Sequence, residues 1–215
     1  MTHNVRIHRK RNDMTWLNAV TLEGATVTLE PLSHQRHDEL AAAVSDGELW
    51  KLWYTFIPAP EAMNADIEQR LALQQQGSML PFAVIDKASH LAVGITALMH
   101  ADSANRRIEI GSTWYRRSVQ RTALNTECKL LLLRHAFESL DCIAVEFRTH
   151  FFNYASRRAI ERLGARLDGI LRNHRFSADG TLRDTCVYSI INSEWPTVRT
   201  HLEYQLSKRD AGMRE

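Results

Sequence analysis

The chemistry in this sequence concentrates between Arg106 and Gly164, where RIEIGSTWY reads as a strand ending in aromatics, RRSVQRTALNTE opens a leucine-rich helix, and NYASRRAIERLG supplies a second helix. A strand that gives way to a loop at a helix start presents backbone donors suited to a pyrophosphate. First-turn amides lack intrahelical partners and the helix dipole adds positive potential, so Arg121 to Thr126 can hold diphosphate oxygens. Asn125 and Thr126 suit the helix start, while Arg116, Arg117, Arg121 and Lys129 place cationic side chains around the same opening. The first expectation is a nucleotide-linked cofactor. A capped helix beside a solvated arginine run fits the same spacing and stays open on the residues alone.

Around this run the periodicity gives a mixed α+β order. Residues 1 to about 20 lack clean periodicity and read as a flexible arm; 21 to 207 form one domain, and 208 to 215 a polar tail. Ala25 to Leu32 alternates like a half-buried strand, with Ser33 as N-cap for a helix from His34 to Val44. Asn64 or Asp66 starts a helix that stops at Gly77. Strands follow at Pro81 to Asp86, Leu91 to His100 and Arg106 to Tyr115, as an antiparallel meander. A helix over Asn125 to Leu140, a strand over Ile143 to Thr149 and a helix over Tyr154 to Leu163 follow, and a helix between two strands makes a strand-helix-strand unit inside an otherwise antiparallel sheet. Strands Arg166 to Phe176 and Leu182 to Ile191 flank the turn at Ser177 to Gly180, and a last helix runs from Trp195 to about Leu206.

Composition fits an ordinary globular chain: 215 residues, 44% apolar, 24% charged and a formal charge of +2. So small a net charge argues against a general nucleic-acid surface, although the basic start could touch RNA. Cys128, Cys142 and Cys186 are odd in number and lack CxxC spacing, so buried reduced thiols are expected, with no metal site and no disulfide framework. No apolar run is long enough to span a bilayer, and the basic start lacks an apolar signal region; a cytoplasmic protein is expected, with homodimerisation left open.

Three segments, RTALNTECKLLLLRHAFE, VEFRTHFFNYASRRAIERLGA and LRNHRFSADGTLRDTCVYSI, resemble the RimJ/RimL-type branch of the GCN5-related N-acetyltransferase superfamily in order and spacing. The resemblance runs from about Thr26 to Leu206. It implies the acyl-CoA N-acyltransferase fold, a mostly antiparallel central sheet flanked by helices, and acetyl-CoA as co-substrate. Trp114 and Tyr115 would close a splayed strand facing the pantetheine arm. The phosphate loop Q/R-x-x-G-x-G/A corresponds to Gln120, Arg121, Thr122, Ala123, Leu124 and Asn125, departing from both small-residue positions, with Thr126 next.

By the same resemblance Asn153 contacts the pantetheine or a water; as a sequence feature it equally suits a plain N-cap. Ile160 stands where many members carry the tyrosine acid, and Ser156 is the substitute on the leaving-thiolate side. Glu109 is the candidate base for the incoming amine; a surface glutamate paired with Arg106 or Arg107 is its alternative, and His150 and His174 are further candidates. Trp50, Trp53, Tyr54 and Phe56 fall where the family lines its acceptor side, and core packing is the competing account of each. The expected activity is direct acetyl transfer in a ternary complex to a primary amine, a protein N-terminus or a small amine. A non-catalytic acyl-CoA-binding or regulatory domain is the alternative.

Overall fold

The computed structural model describes residues 16–177 and 179–210. Its centre is an eight-stranded sheet in the order β1-β2-β3-β4-β5-β6-β8-β7. The strands are β1 (Leu22–Glu23), β2 (Val27–Pro31), β3 (Met79–Asp86), β4 (Leu91–Asp102), β5 (Arg107–Tyr115), β6 (Ala144–His150), β7 (Arg166–Phe176) and β8 (Leu182–Ile191). β5 and β6 pair in parallel, and the other neighbouring pairs are antiparallel. This is the mixed α+β architecture expected.

Side chains alternate across a strand, and β3 uses both faces. Leu80, Phe82 and Val84 enter one core, and Ala83 and Ile85 enter another. The first core is completed by α3 (Leu124–Arg134) and α5 (Trp195–Asp210), through Leu130 to Leu133, Trp195, Val198 and Leu202. α3 is buried nearly all round, its Thr126, Glu127 and Lys129 included, because the sheet and α5 enclose it. The second core takes Leu40, Ala43 and Val44 from α1 (His37–Ser45) and Met63 and Ile67 from α2 (Met63–Gln75). Among the described residues no helix is long and apolar enough to cross a membrane.

Several local expectations change. Ser33 makes no side-chain cap, and a 3-10 turn over His34–Arg36 precedes α1. Neither Asn64 nor Asp66 caps α2: the helix starts at Met63 after a 3-10 turn, and Asp66 is buried against Arg70 at 2.6 Å. The helix expected through Leu140 shifts to a π-turn over His135–Ser139, where Phe137 stacks on Trp195 at 5.3 Å. Ala25 and Thr26 lie outside the sheet because their amides bind the Glu127 carboxylate instead. Trp16 and Leu17, expected in the arm, pack on the first core. Residues 1–15 and 211–215 lie outside the described part.

Gly94 on β4 sits where the backbone of β5 comes closest. A Cβ there would collide with the Trp114 carbonyl oxygen and meet the Tyr115 ring at 3.0 Å. Gly94→Ala is therefore expected to cost about 1 to 3 kcal/mol of stability, read by urea unfolding, because rigid backbone must shift. An unchanged midpoint would contradict this packing.

Candidate active site

The parallel ladder between β5 and β6 covers Arg107↔Ala144, Ile108↔Val145 and Glu109↔Glu146 and then stops. Beyond it β5 stays with β4 as far as Tyr115↔Gly94, while β6 stays with β8 as far as His150↔Thr185. The two strands diverge, and a cleft of about 1200 Å³ opens between them, lined by Glu109 to Tyr115 on one wall and Phe147 to His150 on the other.

A β-bulge shapes the first wall. The β4–β5 register steps from Ala97↔Gly111 to Ile95↔Trp114, so β5 carries one extra residue, and Ser112 has φ of 50°. Buried side chains from both faces hold it. From α2, Arg70 Nη1 donates to Ser112 Oγ at 2.7 Å while its Nε donates to Asp66. From α3, Lys129 Nζ donates to Thr113 Oγ1 at 2.8 Å and to Thr96 Oγ1 at 3.3 Å. Lys129 was expected among the phosphate-facing cations. It is instead 6% exposed, has no carboxylate partner among the described residues, and burial lowers its pKa to about 8.

At the far end of the cleft, Gln120 Nε2 donates to Tyr115 O at 2.8 Å, tying the loop to the end of β5. Thr122 Oγ1 donates to Val119 O and accepts from Leu124 N at 3.3 Å, so the threonine stabilises the entry to α3. Asn125 and Thr126 follow, and their amides belong to the first turn that an α-helix leaves unpaired. The side chains divide. Gln120, Arg121, Thr122 and Asn125 line the cleft. Ala123 does not, Leu124 is buried in the first core, and Thr126 is buried beside Arg162. Arg116 turns away to Asp46 at 3.0 Å. Arg117, Arg121 and Arg158 line the cleft with no acidic partner among the described residues.

The opposite wall includes α4 (Tyr154–Arg162). Asn153 caps it, its Oδ1 accepting from Ser156 N at 3.1 Å, and also lines the cleft, so the capping and site readings coexist. Ser156 and Ile160 line the same wall, one helical turn apart. Gly164, at φ of 97°, ends the helix.

Glu109 marks the point where the strands part. It is 6% exposed and pairs with neither Arg106, which goes to Asp141, nor Arg107, which goes to Glu146. Its Oε2 is 2.8 Å from His100 Nδ1 and 3.6 Å from Arg148 Nε. That hydrogen bond to Glu109 holds the His100 pKa above its ordinary value. His150 is buried; its Nδ1 accepts from Phe152 N at 3.1 Å, and burial together with Arg183 and Arg175 lowers its pKa. His174 Nδ1 lies 3.1 Å from Thr185 Oγ1. Tyr54 and Phe56 line the cleft. Trp53 is exposed and meets the His150 ring edge-on at 5.1 Å, whereas Trp50 packs against the second core.

Residues 26–166 match the family described as the acetyltransferase (GNAT) domain. The chain belongs to the GNAT acetyltransferase family. A GCN5-related N-acetyltransferase from Brucella melitensis is 34% identical, covering 88% of this chain and 86% of its own, with a TM-score of 0.79. An acetyltransferase structure from T. thermophilus is 32% identical over 89% and 99% of the two chains, with a TM-score of 0.78. YdaF of Bacillus subtilis (strain 168), which carries the name of a ribosomal N-acetyltransferase, is 29% identical over 102 residues, 47% of this chain and 55% of its own length. The fold of Mycobacterium smegmatis RimJ, solved with CoA-disulfide, superimposes with a TM-score of 0.73 at 20% identity.

The residues of this GNAT cleft fit the family's co-substrate, acetyl-CoA. Its phosphates call for cations and free amides, which Arg117, Arg121, Arg158 and the α3 entry offer. The Trp114 Nε1 and Tyr115 Oη atoms are buried without hydrogen-bond partners among the described residues at the end of the splayed strand. Sequence reasoning missed His100, Arg148 and Arg183. The β4–β5 register could have indicated His100, since Met99 lies opposite Glu109.

Two measurements follow from this geometry. Arg121→Glu is expected to weaken CoA binding by about tenfold or more, read by calorimetry, because a carboxylate then opposes the phosphates. Lys129→Met is expected to raise stability at pH 7 by up to about 3 kcal/mol, since burial that lowers the pKa from 10.5 to about 8 penalises the amine that is still charged at pH 7. The lost hydroxyl contacts reduce that gain. Its pH course is the decisive readout: full below pH 8 and shrinking as pH rises toward 10.5.

Proposed function

We propose that this protein is an acetyl-CoA-dependent N-acetyltransferase that delivers acetyl to a primary amine, most specifically a protein N-terminus, by direct attack in a ternary complex. The observation that carries this reading is the buried Glu109 paired with the exposed His100 where β5 and β6 part, with Ser156 and Asn153 on the opposite wall and Arg121 at the far end. Bound acetyl-CoA supplies an activated acetyl thioester. Backbone groups of β5 beyond Glu109 have lost β6 as a ladder partner and suit the pantetheine arm. The Glu109 carboxylate, with His100 beside it, takes the proton from the acceptor ammonium. The Ser156 hydroxyl faces the leaving-thiolate side, and Asn153, its oxygen committed to the helix cap, has its Nδ2 donor for the same region. Direct transfer is favoured over an acyl-cysteine route. All three thiols are buried, none lines the cleft, and burial pushes Cys128 and Cys142 up to about 12.

The likeness of YdaF, with its ribosomal N-acetyltransferase name, supports a protein N-terminus as acceptor, and the exposed aromatic rim of Trp53 and Phe56 suits a chain segment. A cytoplasmic location agrees with this reading. The alternative, a non-catalytic acyl-CoA-binding domain, draws on Ile160, an apolar residue where many members place a tyrosine acid. Free-thiol release from acetyl-CoA against a panel of peptides and small amines separates the two. Release without any amine dependence would remove the transferase reading.

The roles have their own tests. Ser156→Ala is expected to lower kcat with CoA affinity intact, whereas Glu109→Gln should lower kcat/KM most at low pH, where the amine arrives protonated. In Glu109→Gln the His100 ring should also titrate closer to its ordinary 6.5 by NMR, because the bond that raises it is gone. An unmoved His100 titration would dissolve the pair.

A further inference from the structure

Arg175 and Arg183 stand directly opposite one another across the β7–β8 hairpin, and both line the cleft with His174 and Thr185. Like charges in a cross-strand pair destabilise a sheet unless something offsets them. No described residue does so by direct pairing. Arg183 Nε donates to Thr185 Oγ1 at 3.3 Å, but among the described residues neither guanidinium has an ion-pair partner. Asp184, the acid next to Arg183 in the chain, is committed to Arg172 at 2.6 Å and to the Asn173 amide at 2.8 Å. Arg148 on the neighbouring strand has both Glu146 and Glu109. On this side of the cleft the shortage of anions thus falls on one pair.

The backbone is shaped to make this pair. Between Leu171↔Thr185 and Arg175↔Arg183, β7 uses four residues where β8 uses two, and Asn173 has φ of 49°. This irregularity lets the consecutive residues His174 and Arg175 both reach the cleft, which strict alternation forbids. Arg183 is half-buried, and burial and the facing Arg175 together lower its pKa to about 10.

Resting on the N-acetyltransferase reading, we propose that Arg175 and Arg183 form a carboxylate subsite for the acceptor, so that the preferred substrate is a peptide N-terminus with an acidic side chain in its first residues. Two guanidinium forks can share a carboxylate bidentately and cancel the repulsion between them. The acceptor ammonium would then lie toward Glu109, the acid on the same cleft, whose attraction also reaches Arg183. A cleft of about 1200 Å³ with aromatics at its edge favours a chain segment over a single amino acid.

The test uses C-terminally amidated peptides Ser-Glu-Ala-Ala, Ser-Ala-Ala-Ala and Ser-Lys-Ala-Ala, carrying a fluorophore at the far end. Binding to the CoA-saturated full chain is read by anisotropy and, in parallel, transfer by thiol release with acetyl-CoA. The glutamate peptide is expected to bind about tenfold tighter than the alanine peptide, and the lysine peptide weakest. Charge reversal by Arg175→Glu with Arg183→Glu should invert that order. The double variant Arg175→Gln, Arg183→Gln should abolish discrimination, retain CoA affinity, and melt no lower than the parent, since a repulsion is removed. Equal binding of the three peptides overturns the proposal, as does an equal loss for all three in the glutamine variant. Free glutamate competing as well as the acidic peptide overturns its peptide form. If the binding order holds while no amine is acetylated, the subsite stands and the transferase reading falls.

Discussion

Two buried cations gripping one β-bulge from opposite faces of the sheet set the geometry of everything downstream. Arg70 holds Ser112 and Lys129 holds Thr113, so the extra residue of β5 cannot relax into a regular ladder. A strand held in this shape leaves the parallel pairing with β6 after Glu146, and the cleft is the result. Neither cation is there for stability alone. Arg70 is balanced by Asp66, but among the described residues Lys129 is met only by hydroxyls, an arrangement that costs folding free energy and makes sense where backbone shape matters more than stability.

The cleft is electrically uneven along its length. At the α3 end, Arg117, Arg121 and Arg158 offer positive charge without competing acids among the described residues, as a polyphosphate requires. At the point where the strands part, Glu109 lies between His100 and Arg148, a balanced cluster able to exchange a proton. The β7–β8 side is positive again. Glu109 is therefore the acid set between two basic regions, which favours an ammonium at that one position and anions on either side.

The elements were largely legible because alternation and turn chemistry are local. The observed β7 and β8 have the bounds read from LRNHRF and the Ser177 to Gly180 turn, and the meander β3-β4-β5 follows its apolar runs. What the sequence concealed sits at departures from periodicity. His100, Ser112 and Asn173 all have positive φ without being glycine, each at a register shift, and each redirects a neighbour into the cleft. A period-two reading assigns such neighbours to the wrong face. Lys129 was misplaced for a related reason: a lysine near a phosphate loop looks solvated until the helix carrying it proves buried on every side. Of the aromatic connection, Tyr54 and Phe56 reached the cleft and Trp50 went to the core, a division that composition alone does not contain.

The Glu127 carboxylate, on the first turn of α3, accepts the amides of Ala25 and Thr26 and the Thr26 hydroxyl, contacts that bridge as many as 102 positions of chain. Synthesis runs from the N-terminus, so the β1–β2 hairpin leaves the ribosome long before its anchor exists. β3 and Lys87 can engage it first, but the contacts to Glu127 must wait until α3 has been translated, and the loop immediately before that helix is secured in the same closing step. The turn between β1 and β2 and the loop ahead of α3 thus take their final order together, so a half-made chain lacks one side of that contact.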